Sequence, residues 1–369
     1  MIRRARLVFV VLAFVAGLHA SQPAAQGVPD TLPLRLSDQE FWRMVEQYSE
    51  PNGYFDSDNL ISNEDTYQAV VPSVASRSRG GAYLGVGPDQ NFTYILALRP
   101  RVAFITDIRR GNLLVHLMYK ALIEMSANRV EFLSHLFGRK PPVGISVTAP
   151  PAALLKAFRE APADEAFREM SLAAMVRHLG RTHGFRLADG DEDAIRSIHS
   201  SFAREGPSLR FVSSRSGNRY PTYEDLQTAT DAAGVNHGYL ADEAHYARLR
   251  DLEERNLIVP LVGNFAGPKA LRAVGAYLKS RGATVGAFYT SNVERYLFQD
   301  GLWDEFVANV TTLPLDADSI FIRSCFDSCS GAVESRAISL VDSIQELLRD
   351  VRAGHVSGYG DVLAHSRRE

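Results

Sequence analysis

Two short segments of this chain carry residue types that suit the binding of a nucleoside. The first is Leu84-Gly85-Val86-Gly87-Pro88-Asp89-Gln90-Asn91, which follows an apolar stretch and sets two glycines close together. Glycine lets a backbone approach a ligand where a Cβ would block it. The second is Asp107, 20 residues beyond Gly87 and at the end of another apolar stretch. A carboxylate at that spacing can accept hydrogen bonds from both ribose hydroxyls. The dinucleotide fingerprint requires a third glycine where Gln90 stands. Asp89, at the start of the helix expected next, suits a helix dipole but repels phosphate. The spacing therefore favours a ligand without phosphate that bears cationic groups. Gly85, Gly87, Asp89, Asn91 and Asp107 are its expected contacts. The competing reading is a tight strand-to-helix turn with a helix-capping Asp.

Other polar residues fall near the same crevice. Arg109, Arg110, Asn112, His116 and Lys120 follow Asp107 along a helical pattern. They read either as an anion or substrate site or as a solvated face with ordinary ion pairs. Tyr289, Ser291 and Asn292 follow a third apolar segment, and Ser291-Asn292-Val293-Glu294 also reads as a helix-capping box. Arg323 ends the last apolar segment. His178 and His183 stand five apart, and Asp242, Glu243 and His245 share a helix; neither group forms a recognisable metal motif, so no metal is expected. No Gly-x-Ser-x-Gly elbow or Walker loop is present.

These residues must be positioned by an alternation of strands and helices. Strands are expected at Ala82–Val86, Val102–Ile105, Leu209–Val212, Leu257–Val262 and Thr284–Phe288, with Ile320–Ile322 as the last. Helices are expected at 113–137, 223–233, 241–255, 268–280 and 292–298. Ser37-Asp38-Gln39-Glu40 is a capping box opening an earlier helix, and residues 50–63 read as a loop. Residues 150–206 read as a mostly helical insertion, set off by Pro150-Pro151 and Gly206-Pro207. The expected fold class is α/β: a Rossmann-like, mainly parallel sheet with helices on both faces. The expected organisation is a signal segment over 1–25 and one domain over 26–369 that includes the insertion.

Tyr-Leu-Gly-Val-Gly at 83–87 followed by Ile-Thr-Asp at 105–107 resembles motifs I and II of the class I S-adenosylmethionine methyltransferases. By that resemblance Gly85 and Gly87 flank the methionine part of the cofactor, and Asp107 holds its ribose. S-adenosylmethionine carries an ammonium and a sulfonium, which matches the local charge. Asn264-Phe265, after the strand at 257–262, resembles the polar-aromatic motif of the fourth strand in that family. It implies a catalytic, substrate-orienting role for Asn264 beside Phe265 as a substrate contact; Tyr289 and Asn292, which follow the strand at 284–288, are expected substrate contacts by their position. Tyr83 stands where motif I usually has an acidic residue, and Asp89 where it has a third glycine. The stretches at 264–270 and 288–292 also resemble a little-characterised group of bacterial proteins with this fold.

Composition bounds the partners. A net charge of −3 provides no field for nucleic acid or anionic membrane. Hydrophobic content of 46% is that of an ordinary globule. Arg3, Arg4 and Arg6 precede an apolar run from Leu7 to Leu18 and then small and polar residues, the pattern of a secretory signal. The expected protein is exported, periplasmic or secreted, with no stable membrane anchor after signal removal. Cys325 and Cys329 read as a local staple or two free thiols. S-adenosylmethionine is made in the cytoplasm, so export sets a conflict. It favours the alternative of a non-catalytic binding protein whose crevice serves an envelope metabolite or protein partner. An NAD(P)-dependent oxidoreductase, with Arg109 and Arg110 as phosphate contacts, is the third choice.

Overall fold

The structure, a computed structural model, describes residues 31–77, 80–212, 220–326 and 337–366. The expected signal segment lies outside the described residues, as does Cys329. Mostly apolar runs that are buried along nearly all their length become the strands of one sheet: β1 (Ala82–Gly85), β2 (Val102–Asp107), β3 (Ile258–Val262), β4 (Val285–Ser291) and β5 (Ile320–Cys325). Such runs require apolar cover on both faces, and helices supply it. The strand order is β3-β2-β1-β4-β5-β6, with β1 to β5 parallel. The α/β, Rossmann-like class expected from the sequence is the one found. The chain builds outward from β1 through β2 to β3, then crosses back to place β4 on the other side of β1. That reversal opens a crevice at the carboxyl ends of β1 and β4.

Several elements differ from expectation. Ile320–Cys325 is not the last strand. It is followed by β6 (Ile338–Ser343), which pairs antiparallel with β5 and closes the edge of the sheet. Its first four residues, Ile338 to Val341, are only half-buried, as on an edge strand covered on one side. Leu209–Val212 forms no strand of the sheet; one bridge joins Arg210 to Thr222. The single helix expected over 113–137 is two, Arg110–Glu124 and Arg129–Phe137. Asn128 caps the second by accepting a hydrogen bond from the Glu131 N–H, and Asn is a strong N-cap because its side chain satisfies a free helix donor. The helix expected over 223–233 stops at Thr228. The Ser37 capping box is formed. Ser291 caps nothing: it ends β4 with φ +53°, and the helix Val293–Gln299 starts without a side-chain cap.

The helical segment contains helices Pro151–Glu160, Glu165–Arg177 and Asp191–Glu205, with a π-helical turn at His178–Thr182. Its buried Leu154, Leu172, Ile195 and Phe202 belong to the same hydrophobic cluster as the sheet. Among the described residues, no helix is long and apolar enough to cross a membrane.

Candidate functional site

The turn after β1 is shaped by Tyr83, Gly85, Gly87 and Asn91. Gly87 has φ +77°, a conformation that side chains strain. A Cβ on Gly85 would sit 2.1 Å from Asn91 Oδ1. Asn91 uses that room: its Nδ2 donates to the carbonyls of Val86 (2.8 Å), Gly87 (3.2 Å) and Pro88 (2.7 Å). Its Oδ1 accepts from the Tyr83 hydroxyl at 2.8 Å. Tyr83, Gly85 and Asn91 thus build the turn from behind. His116 adds a further tie, with Nε2 2.9 Å from the Gly87 carbonyl. Burial holds its pKa down, at about 4, so the ring is neutral and donates to that carbonyl.

In front of the turn is a cavity of about 810 Å³, the size of small-molecule sites. Gly87 and Gln90 line it from β1, Asp107 and Arg109 from β2, Asn264 and Phe265 from β3, and Tyr289, Ser291 and Asn292 from β4. The loop at 54–64 forms another wall. Asp107 ends β2 and accepts the Arg109 backbone N–H at 2.9 Å, with the Arg109 guanidinium 3.3 Å from its carboxylate. Arg109 also donates to the Asp58 carbonyl, which ties that loop to the sheet. Gln90 donates through Nε2 to the Tyr289 hydroxyl at 2.8 Å, while its buried Oε1 has no hydrogen-bond partner among the described residues.

Of the expected ligand contacts, Gly85, Asp89 and Asn91 do not line the cavity. Asp89 points into the helical layer, where its carboxylate accepts from Gln227 Nε2 (2.7 Å) and the Tyr239 hydroxyl (3.0 Å). Burial raises its pKa to about 6. Its charge therefore does not select the ligand. Asn264 follows the third strand of the chain rather than the fourth, because Leu209–Val212 drops out of the sheet. Ser291 and Asn292 hold the position after the fourth strand. Asn264 Oδ1 accepts the Ala266 N–H at 2.9 Å, and its own N–H donates to Glu50.

The polar residues beyond Asp107 are not a solvated face. Asn112, His116 and Lys120 are buried, the last against Glu124 at 2.7 Å. Arg110 binds Asp191 through two hydrogen bonds. Arg323 lies in the core, held by Glu294 (2.7 Å) and Asp342 (2.7 Å). Cys325 carries no free thiol.

One cavity residue had no signal in the sequence. Glu64, in the loop before β1, is buried and accepts hydrogen bonds from the hydroxyls of Tyr289 (2.7 Å), Ser291 and Ser324. Burial raises its pKa, and no cation is among the groups that lower it. A carboxylate with three neutral donors can still take a cationic group from a ligand.

The chain belongs to the family described as Domain of unknown function (DUF7790), which it matches over residues 59–140 and 146–351. The matched segments include Glu64, Gly87, Asp107, Asn264 and Ser291. No curated protein matches the chain.

Proposed function

We propose that the cavity binds S-adenosylmethionine or a related nucleoside and that the protein is methyltransferase-like. The observation that carries this reading is the placement of Asp107, at the end of β2, on the same cavity wall as the Gly87 turn, at the reversal of strand order. Asp107 would hold the ribose, the Gly87 backbone would lie against the ligand, and Gln90 Oε1, without a hydrogen-bond partner among the described residues, would accept a donor from it. Glu64 would take the ligand's ammonium, an expectation the sequence did not raise. The cofactor supplies an electrophilic methyl group. The protein's part is to hold a nucleophile in line with that group, and Asn264, Phe265, Tyr289 and Asn292 are the residues proposed to orient it.

A second reading, a non-catalytic exported binding protein, is favoured by one observation. Gly85, Asp89 and Asn91, expected from the sequence as ligand contacts, are engaged with protein instead. The basic and apolar N-terminal segment supports export in either case.

Thermal unfolding in the presence of S-adenosylhomocysteine, S-adenosylmethionine, NAD and NADP tests the proposal. A ligand at a hundred times its dissociation constant stabilises by about 2.7 kcal/mol, a shift of a few degrees. The expected result is a shift with the adenosyl sulfur compounds that is lost in Asp107→Ala, with the unliganded variant as control. No shift with any of the four refutes the nucleoside site. A shift with NADP alone replaces it with the oxidoreductase reading.

A further inference from the structure

We propose that Glu124, His178 and His183 form a transition-metal site, of the kind zinc occupies, at the junction of the helical segment with the sheet domain. Their ligand atoms lie within 4.8 Å of one another. His178 Nε2 is 2.7 Å and His183 Nε2 2.6 Å from the same carboxylate oxygen, Glu124 Oε2. The local backbone produces this convergence. The N–H of His183 bonds to the carbonyl of His178 at 3.1 Å, an i to i+5 bond. That π-helical turn brings residues five apart onto one face, and such turns often occur at functional sites. The two rings stand at 89° with centroids 4.8 Å apart.

The surroundings match those of a metal-bound imidazole. His183 Nδ1 lies 2.7 Å from Asp38 Oδ1, so each ring nitrogen faces a carboxylate. Metal-ligating histidines characteristically donate the distal N–H to such a carboxylate, which fixes the tautomer. Asp38 is itself held by Asn256 Nδ2 at 2.9 Å, and the His183 ring stacks on Phe185. Lys120 holds the other Glu124 oxygen at 2.7 Å. Only Oε2 is left to coordinate, which gives an N₂O set with room for water. Two imidazoles and one carboxylate oxygen suit zinc and exclude calcium and magnesium, which need several oxygens. Around a tetrahedral ion the ligand atoms would stand roughly 3.3 Å apart, so the side chains would open slightly from their present contacts. Glu124 ends its helix while Arg110 starts it near the crevice, about 20 Å away. The site is therefore independent of the nucleoside reading, and the role that fits is a clamp between helix Asp38–Tyr48, helix Arg110–Glu124 and the helical segment.

The test is calorimetric titration of untagged, chelator-stripped protein with Zn²⁺, followed by Co²⁺ substitution and visible spectroscopy. The expected result is one ion per chain and the absorption of a four-coordinate Co²⁺ centre. His178→Ala and His183→Ala should each lose the cobalt spectrum and weaken zinc binding at least a hundredfold. Asp38→Asn should weaken it about 10- to 100-fold. Far-UV circular dichroism in chelator separates loss of site from loss of fold, and His178→Ala, the more exposed position, is the variant to rely on. No binding by the wild type, or binding unchanged in the His178→Ala, His183→Ala double variant, overturns the proposal. In either case the three residues would be a hydrogen-bonded His–carboxylate cluster only.

Discussion

Asp89→Asn separates a role in ligand selection from a role in packing. Asp89 faces Gln227 and Tyr239, with the hydroxyls of Tyr119, Tyr223 and Tyr67 nearby and no cation among the groups acting on it. Burial lifts its pKa to about 6 in the folded protein, against about 4 in an unfolded chain. Between those values the folded state binds more protons than the unfolded state. The contribution to stability is thus fully present below about pH 4 and is lost as pH rises through about 6. Charging the group in place costs about 3 kcal/mol at higher pH, as an order of magnitude. Asparagine presents an oxygen to both donors and carries no charge. Urea unfolding at intervals from pH 4 to 7.5 should show near-equal stabilities at the acid end. The variant should then gain progressively, toward about 3 kcal/mol at pH 7.5. Parallel curves for the two proteins, or a variant less stable at every pH, would refute the assignment. Ligand-dependent stabilisation should be the same in both, because the carboxylate does not face the cavity.

Other substitutions test the rest of the architecture. Glu294→Gln removes one of the two carboxylates holding the fully buried Arg323. Leaving that charge half-compensated should cost about 3–5 kcal/mol in denaturant unfolding, and a loss under 1 kcal/mol would contradict it. Gly85→Ala drives a methyl group into Asn91 Oδ1 and the Tyr83 ring. The expected cost is about 1–3 kcal/mol, with weakened nucleoside binding as the turn shifts. Glu64→Gln should weaken S-adenosylmethionine binding by about 1.5–3 kcal/mol, the worth of a charge-assisted hydrogen bond, while leaving uncharged adenosine unaffected. Equal loss for both ligands in calorimetry would remove Glu64 from contact with the ammonium.

Local chemistry was legible in the sequence, and long-range pairing was not. The Ser37 capping box, the Gly87 turn and the short apolar runs of β1 to β5 act within a few residues, so their outcome could be read from neighbours alone. The same holds for the α/β class, since alternating strands and helices leave a parallel sheet few other arrangements. The errors arose where a distant partner decided. Asp89 stands at a helix start in the sequence, but Gln227 and Tyr239, contributed by the helical layer, draw its carboxylate away from the crevice. Ser291 reads as a cap, but Glu64, 227 residues away, takes its hydroxyl. Leu209–Val212 has the composition of a strand and no neighbour in the sheet to pair with, so the position after the fourth strand passes from Asn264 to Ser291 and Asn292. Glu64 and the Glu124–His178–His183 cluster left no motif, because no local spacing specifies either. A buried carboxylate needs donors, and a chain can bring them from any distance once its strands have taken their order. Neighbouring residues set the turn that faces the crevice and most of the strands and helices; contacts between distant residues decided which charged side chains face that crevice and which are spent holding the fold together.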